Sequence, residues 1–192
     1  MGIAKLKTDF QLLREHCIII MQNYNTYTDL YFSGHNDLLL KTASTFFNDI
    51  AEIMQRDWFL QVCKLMDSPE TKRKGIVSEN ISIALINSQL LSEGLMCNNI
   101  SSISDELLEY GEKIVPARHK RLAHLDRAHQ ISGAVLGITT EEELACFLEN
   151  IQKYCDEVGR TIGLGPLDIS CSSCAGDVND LLKVLGEYWC HA

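Results

Sequence analysis

The chain lacks the marks of strands. Nowhere in its 192 residues does a sustained period-two alternation run between turn signals, and proline occurs only three times. That pattern argues against a sandwich or barrel and for helices almost throughout. Long hydrophobic runs are also missing. The longest near the N-terminus, Cys17 to Met21, is far too short to span a bilayer. Met1-Gly-Ile-Ala-Lys-Leu-Lys7 does not lead into an apolar stretch with a small-residue cleavage site, so no signal peptide is expected. The N-myristoylation pattern fails as well, because Leu6 stands where Ser or Thr is needed. These absences predict a cytoplasmic protein with no membrane association. No internal repeat, low-complexity segment or long linker is visible, so residues 1–192 are expected to form a single domain.

Positive charge is scarce: 17 Lys and Arg stand against 26 Asp and Glu, a net charge of -9. Hydrophobic content of 46% and charged content of 22% are ordinary for a soluble globular chain. Eight cysteines are present, but without a secretory signal they do not read as a disulfide framework. Cys17, Cys63, Cys97, Cys146 and Cys155 fall among apolar helical residues and are expected to be core or inert thiols. Cys171 and Cys174, with Cys190 and His191 at the end of the chain, could supply three thiols and an imidazole. Their spacing is unlike the tight four-ligand sets of structural zinc sites, so no metal and no cofactor are expected.

The helical reading begins near Ala4 and continues towards Tyr31, until Ser33-Gly34 breaks it. A second helix is predicted from Asn36 to Met66, carrying Leu39, Ala43, Phe46, Phe47, Ile50, Ile53 and Met54 at spacings of three and four. Asp67 to Gly75 reads as a polar loop. A third helix should start near Ser78 or Ser82, with a hydroxyl as N-cap, and end around Cys97-Asn98-Asn99. A fourth should be capped by Ser104, with Asp105 and Glu106 in its first turn, and be kinked or broken at Pro116. Thr139-Thr-Glu-Glu-Glu143 supplies a capping box for a fifth helix running to about Gly159. A loop and a short helix from Asp177 to Trp189 complete residues 163–192. The expected fold is all-α, a bundle of five to six helices.

Against the acidic background, Lys113 to His129 stands out. Its seventeen residues hold five Lys or Arg, three of the six His and one acid, Asp126. Local basicity of this kind suggests an anion site, most simply for phosphate, although many such runs are only solvated helix faces. A fresh helix opening after Pro116 would add backbone N–H groups to that attraction.

Arg118-His-Lys-Arg-Leu-Ala-His124 resembles the R-x4–6-H motif of the HEPN superfamily, in which a polar residue follows the arginine. The longer string Arg118-His-Lys-Arg-Leu-Ala-His-Leu-Asp126 is similar to the version in the AbiU-like branch, named for phage abortive infection. Leu65-Met-Asp-Ser-Pro69, followed by a basic, Gly-containing loop, extends the resemblance, which covers roughly residues 36–160. The resemblance implies a helical bundle and a metal-independent ribonuclease of a toxin–antitoxin or phage-defence system. It also implies a homodimer with the motif at the subunit cleft, and an antitoxin protein as a further partner. On that model His124 is the acid/base, Arg118 the phosphate clamp and His119 a helper, while Lys120, Arg121 and Arg127 hold the RNA backbone.

Helix geometry bears on this. Along an ideal helix Arg118 and His124 stand roughly 120° apart and about 9 Å along the axis. A straight helix therefore does not align them, so a distorted first turn or a second subunit is required. Lys120, Arg121 and Arg127 lie at i−4, i−3 and i+3 from His124, which predicts an imidazole pKa below the ordinary value of about 6.5. Asp126 is spaced to pair with His129. The unremarkable alternative for His124 is a hydrogen-bonded core or interface histidine.

Two other clusters are weaker. Lys72-Arg-Lys74 could extend an RNA track or remain a solvated loop. Trp58, Phe59, Tyr24, Tyr27, Tyr31 and Phe32 recur at helical spacing and read as core or interface packing rather than base-stacking platforms. The rival functional classes are a non-catalytic dimeric helical module that binds a nucleotide, RNA or a protein, and a small metalloprotein built on the C-terminal cysteines.

Overall fold

The computed structural model describes residues 2–117, 139–170 and 174–191, the side chains of Ala117 and His191 excepted. Six helices account for most of these residues: α1 (Ile3–Tyr31), α2 (Asn36–Leu65), α3 (Ile83–Ser92), α4 (Asn98–Ala117), α5 (Glu141–Thr161) and α6 (Val178–His191). The fold is an all-α bundle, as the periodicity predicts. Among the described residues no helix is long and apolar enough to cross a membrane.

The two long helices run antiparallel. Gly34, at φ +83°, turns the chain between them, a left-handed conformation that glycine adopts without strain. Asn23 donates to the Asp57 carboxylate at 3.0 Å, His16 Nε2 to the Gln61 carbonyl at 2.9 Å and the Tyr31 hydroxyl to the Phe47 carbonyl at 2.7 Å. The α2 helix is interrupted at Ala43. Beside the break the Thr42 hydroxyl donates to the Leu38 carbonyl at 2.7 Å, a back-bond that tends to bend helices. It also accepts from Trp189 Nε1 of α6 at 2.9 Å.

The main core collects one face of each of the first five helices. Leu6, Phe10 and Leu13 of α1 meet Val62 and Leu65 of α2, Ile86 and Leu90 of α3, Leu107 and Ile114 of α4, and Ile151 and Val158 of α5. A smaller cluster of Leu30, Leu39, Phe47 and Leu182 lies where α6 covers the junction of α1 and α2. Polar ties cross the main core. Gln89 Nε2 donates to the buried Asp9 carboxylate at 2.6 Å, and the Tyr154 hydroxyl to Asn87 Oδ1 at 2.8 Å. Tyr24, Trp58 and Phe59 pack against this core as expected, whereas Phe32 is 71% exposed.

Several sequence expectations need correction. Residues 70–79 are not a plain loop: Glu70–Arg73 (β1) and Ile76–Glu79 (β2) pair as an antiparallel hairpin, with Lys72 opposite Val77 and Arg73 opposite Ile76. The turn places Lys74 at φ +50° and Gly75 at φ +80°, the two consecutive left-handed residues of a tight hairpin turn. The third helix is capped by Ser82, whose hydroxyl accepts from the Leu85 N–H, but it stops at Ser92. There Gly94, at φ +67°, allows Leu95 N–H to bond Leu90 and Gly94 N–H to bond Leu91, a Schellman closure. The fourth helix starts at Asn98 rather than Ser104, because Ile100 and Ile103 are buried in the core and Ser104 is itself buried. Of the cysteines expected to be core or inert thiols, Cys17, Cys63 and Cys155 are buried, whereas Cys97 and Cys146 are exposed and free.

Candidate functional site

Arg118, His119, Lys120, Arg121, His124 and Arg127 lie outside the described residues, as do Asp126, His129 and the expected lowering of the His124 pKa. The frame that holds the two ends of their segment is described in full. Upstream stands α4 and downstream α5; this pair and that of α1 with α2 are the two extensively packed helix pairs among the described residues.

Three contacts establish how these helices meet. Asn150 Nδ2 donates to the Glu106 carboxylate at 2.7 Å. One turn on, the Tyr110 ring stacks on Phe147 with centroids 4.3 Å apart and planes 17° from parallel. Next, Lys113 Nζ donates to Glu143 Oε1 at 2.7 Å. Each advance along α4 is matched by a step back along α5, so the pair is antiparallel in a fixed register. Ala117 and Thr139, between which the segment runs, therefore belong to the same end of the pair.

Both ends have local reasons to form. Thr140 caps α5: its hydroxyl accepts from the Glu143 N–H at 3.1 Å while the Glu143 carboxylate accepts from the Thr140 N–H at 3.1 Å. This is the capping box expected from the sequence. At the other end α4 continues through Pro116 to Ala117, so the proline does not break the helix at its own position. Proline removes one backbone donor and crowds the carbonyl four residues earlier, here that of Glu112, a cost that only a first-turn proline escapes. The fresh helix expected after it lies outside the described residues.

The electrostatics of the frame follow from those pairs. The hydrogen bond from Lys113, then that from the Thr140 N–H, holds the Glu143 carboxyl below the usual glutamate range. The same Glu143 contact raises Lys113. Burial pushes the Tyr110 phenol up, partly offset by the nearby Thr139 hydroxyl. The Tyr110 oxygen is buried and makes no well-formed hydrogen bond to any described residue. Exposed Glu109, Glu112, Glu141 and Glu142 surround these groups. The described rim of the segment is thus acidic, with its lysine, Lys113, already paired. Any strong hold on a polyanion must come from the segment itself or from another part of the surface.

The basic hairpin is one such part. Met66, at the end of α2, packs over Gly111 so closely that a Cβ there would meet the Met66 Cγ at 2.6 Å. The chain enters the hairpin directly after this contact. Gly111 precedes Ala117 by six residues, about 9 Å along a helix axis. The contact that precedes the hairpin thus sits on α4, short of the point where the 118–138 segment begins. Sequence reading noted the basic residues but missed the hairpin that carries them.

The C-terminal cysteines and histidine that could have formed a zinc set are not assembled among the described residues. Cys171 lies outside the described residues, as does the His191 side chain, while Cys174 and Cys190 are exposed free thiols. Among the described residues no group of three or more His, Cys, Asp or Glu could hold a metal ion.

An all-α bundle that carries an Arg-x5-His segment between two antiparallel helices defines a protein of HEPN type. Residues 3–171 match the HEPN_AbiU2 family model, described as AbiU2, and the chain belongs to that family. No curated protein and no solved structure matches it. The matched region includes the whole 118–138 segment and stops short of α6.

Proposed function

We propose that this protein is a metal-independent endoribonuclease of a toxin–antitoxin or phage-defence system, acting in the cytoplasm as a homodimer. One observation carries the reading: Arg118 and His124 fall inside the matched AbiU2 region, between two antiparallel helices that have Ala117 and Thr139 at the same end.

The chemistry needs a base, an acid and a cation at phosphorus. His124 accepts the proton of an RNA 2′-hydroxyl as that oxygen attacks the adjacent phosphate, and the P–O5′ bond breaks. The products are a 2′,3′-cyclic phosphate and a 5′-hydroxyl, whose oxygen takes up a proton from His124 or His119. Arg118 offers paired, planar donors to the phosphorane oxygens, a geometry lysine cannot copy. Lys120, Arg121 and Arg127 bind flanking phosphates. Because Arg118 and His124 are out of phase on a straight helix, a second copy of the chain supplies the partner residue at a two-fold cleft. An antitoxin that covers this cleft would hold the enzyme in check.

The test is incubation of purified protein with RNA in EDTA. Cleavage to cyclic phosphate ends that disappears in both Arg118→Ala and His124→Ala, with melting temperature unchanged, is the expected result. Intact RNA across varied single- and double-stranded substrates would remove the enzyme and leave a binding module.

A further inference from the structure

The hairpin β1–β2 lies outside both hydrophobic clusters. All eight strand residues are exposed, so it projects from the bundle with neither face covered. Burial does not explain it. Its register puts Lys72 beside Val77 on one face and Arg73 beside Ile76 on the other, with Lys74 at the turn. Ile76 and Val77 are 71% and 53% exposed.

Unpaired cations are clustered at the tip. Among the ten Lys and Arg described elsewhere, five pair with acids: Lys5 with Glu79, Arg56 with Glu52, Lys113 with Glu143, Lys153 with Glu149 and Arg160 with Glu157. Lys72, Arg73 and Lys74 make no ion pair with any described residue. Three adjacent unpaired cations on a chain of net charge -9 leave their field directed at solvent. The backbone points the same way. Lys74 is the one non-glycine among the described residues with positive φ, a conformation that glycine or asparagine adopts more easily. A lysine in that conformation puts a charge at the apex of the turn.

The base of the hairpin is anchored. Asn80 donates through Nδ2 to the Ser68 carbonyl at 2.8 Å and to Thr71 Oγ1 at 2.7 Å, and its N–H bonds the Pro69 carbonyl at 2.9 Å. Lys5 of α1 holds Glu79 at 2.7 Å. The arm is thus fixed at its root to α1, a few residues after Met66, which packs on Gly111 of α4.

We propose that this hairpin is an RNA-binding arm, in which Lys72, Arg73 and Lys74 grip phosphates of the strand that the Arg118/His124 site cuts. The inference rests on the ribonuclease reading above. It explains how an acidic protein with an acidic rim around its site retains a polyanion. The exposed side chains of Ile76 and Val77 give the ribose and base edges an apolar surface beside the cations.

The experiment compares the whole protein with a Lys72→Gln/Arg73→Gln/Lys74→Asn variant, both carrying His124→Ala to prevent cutting. The probe is a labelled single-stranded RNA of about 20 nucleotides, with anisotropy read over a range of salt. Three lost phosphate contacts should weaken binding on the order of tenfold and flatten the plot of log K against log salt by about two. With His124 restored, cleavage at saturating RNA should be unchanged while the half-saturating concentration rises. A Lys72→Arg/Lys74→Arg variant should bind like the parent. Unchanged affinity and salt slope in the Gln/Gln/Asn variant would overturn the arm while leaving the ribonuclease intact, and would free the hairpin for a protein partner. Equal loss in the charge-retaining variant would also overturn it, since charge would then not be the cause. A parent that neither binds nor cuts RNA would sink the ribonuclease reading, and the arm with it.

Discussion

Lys113 Nζ lies 2.7 Å from Glu143 Oε1 and so ties the last turns of α4 to the first turn of α5. Glu143 has a second task, because the same carboxylate completes the capping box with Thr140. The two partners are therefore unequal. Lys113→Ala removes only an exposed ion pair, which is of little worth in water. Glu143→Ala removes the pair and the cap together. Thermal melts should show the larger fall for Glu143→Ala; equal falls would mean that the cap contributes nothing. The carboxyl is held below its unfolded value, so its stabilisation is present above that value and fades as pH falls through the lower, folded one. The difference between parent and Glu143→Ala should therefore shrink below about pH 4.

Gly159 closes α5 at a point where no side chain fits. A Cβ there would lie 2.3 Å from the Gly165 carbonyl oxygen, which is backbone and cannot swing away. Leu164 and Gly165 N–H groups bond the Gly159 carbonyl at 2.8 and 3.0 Å, which holds the loop against the helix. Gly159→Ala should destabilise by about 1–3 kcal/mol through overpacking. Gly186 of α6 meets nothing within 4 Å at its added Cβ, so Gly186→Ala should instead stabilise by about 0.5–1 kcal/mol. Urea unfolding of the two variants checks the sign of each.

The Tyr110 hydroxyl is buried without a well-formed hydrogen bond to any described residue, while its ring stacks on Phe147. Tyr110→Phe keeps the ring and removes the unsatisfied group. Stability should hold or rise, because an unpaired buried hydroxyl is a liability. A clear fall in melting temperature would show that the oxygen has a partner in solution.

Asp9 and Gln89 tie α1 to α3 through a buried 2.6 Å hydrogen bond, and Gln89 Oε1 has no partner of its own. Asp9→Ala would leave the Gln89 amide without that bond inside the core. A loss of about 1–3 kcal/mol is expected in denaturant melts. A neutral result would mean that water replaces the carboxylate.

Much of the fold is legible from local signals. The boundaries of α1 and α2, the Ser82 cap and the Thr140–Glu143 box depend on residues close in sequence, and each is found where the chain predicts it. The hairpin was not legible, because alternation reveals a strand only when one face is buried. Here all eight residues are exposed and the pairing is made by backbone groups. The end of α3 carries a local signal, Gly94 followed by Leu95, which is a Schellman pair. The start of α4 had no comparable signal: Ser104 looks like a cap, yet burial of Ile100 and Ile103 draws the helix back to Asn98.

The sequence by itself determined the all-α class and the Arg118–His124 spacing, together with the family that the spacing resembles. Those properties follow from helical periodicity and from a short string of residues, neither of which needs a distant neighbour. Tertiary structure alone decided that α4 and α5 lie antiparallel, so that Ala117 and Thr139 belong to the same end of the pair, and that residues 70–79 form a basic hairpin. Those relationships depend on contacts between residues far apart in the chain, Tyr110 with Phe147, Lys113 with Glu143 and Met66 with Gly111. Packing selects such pairs, and local sequence does not encode them.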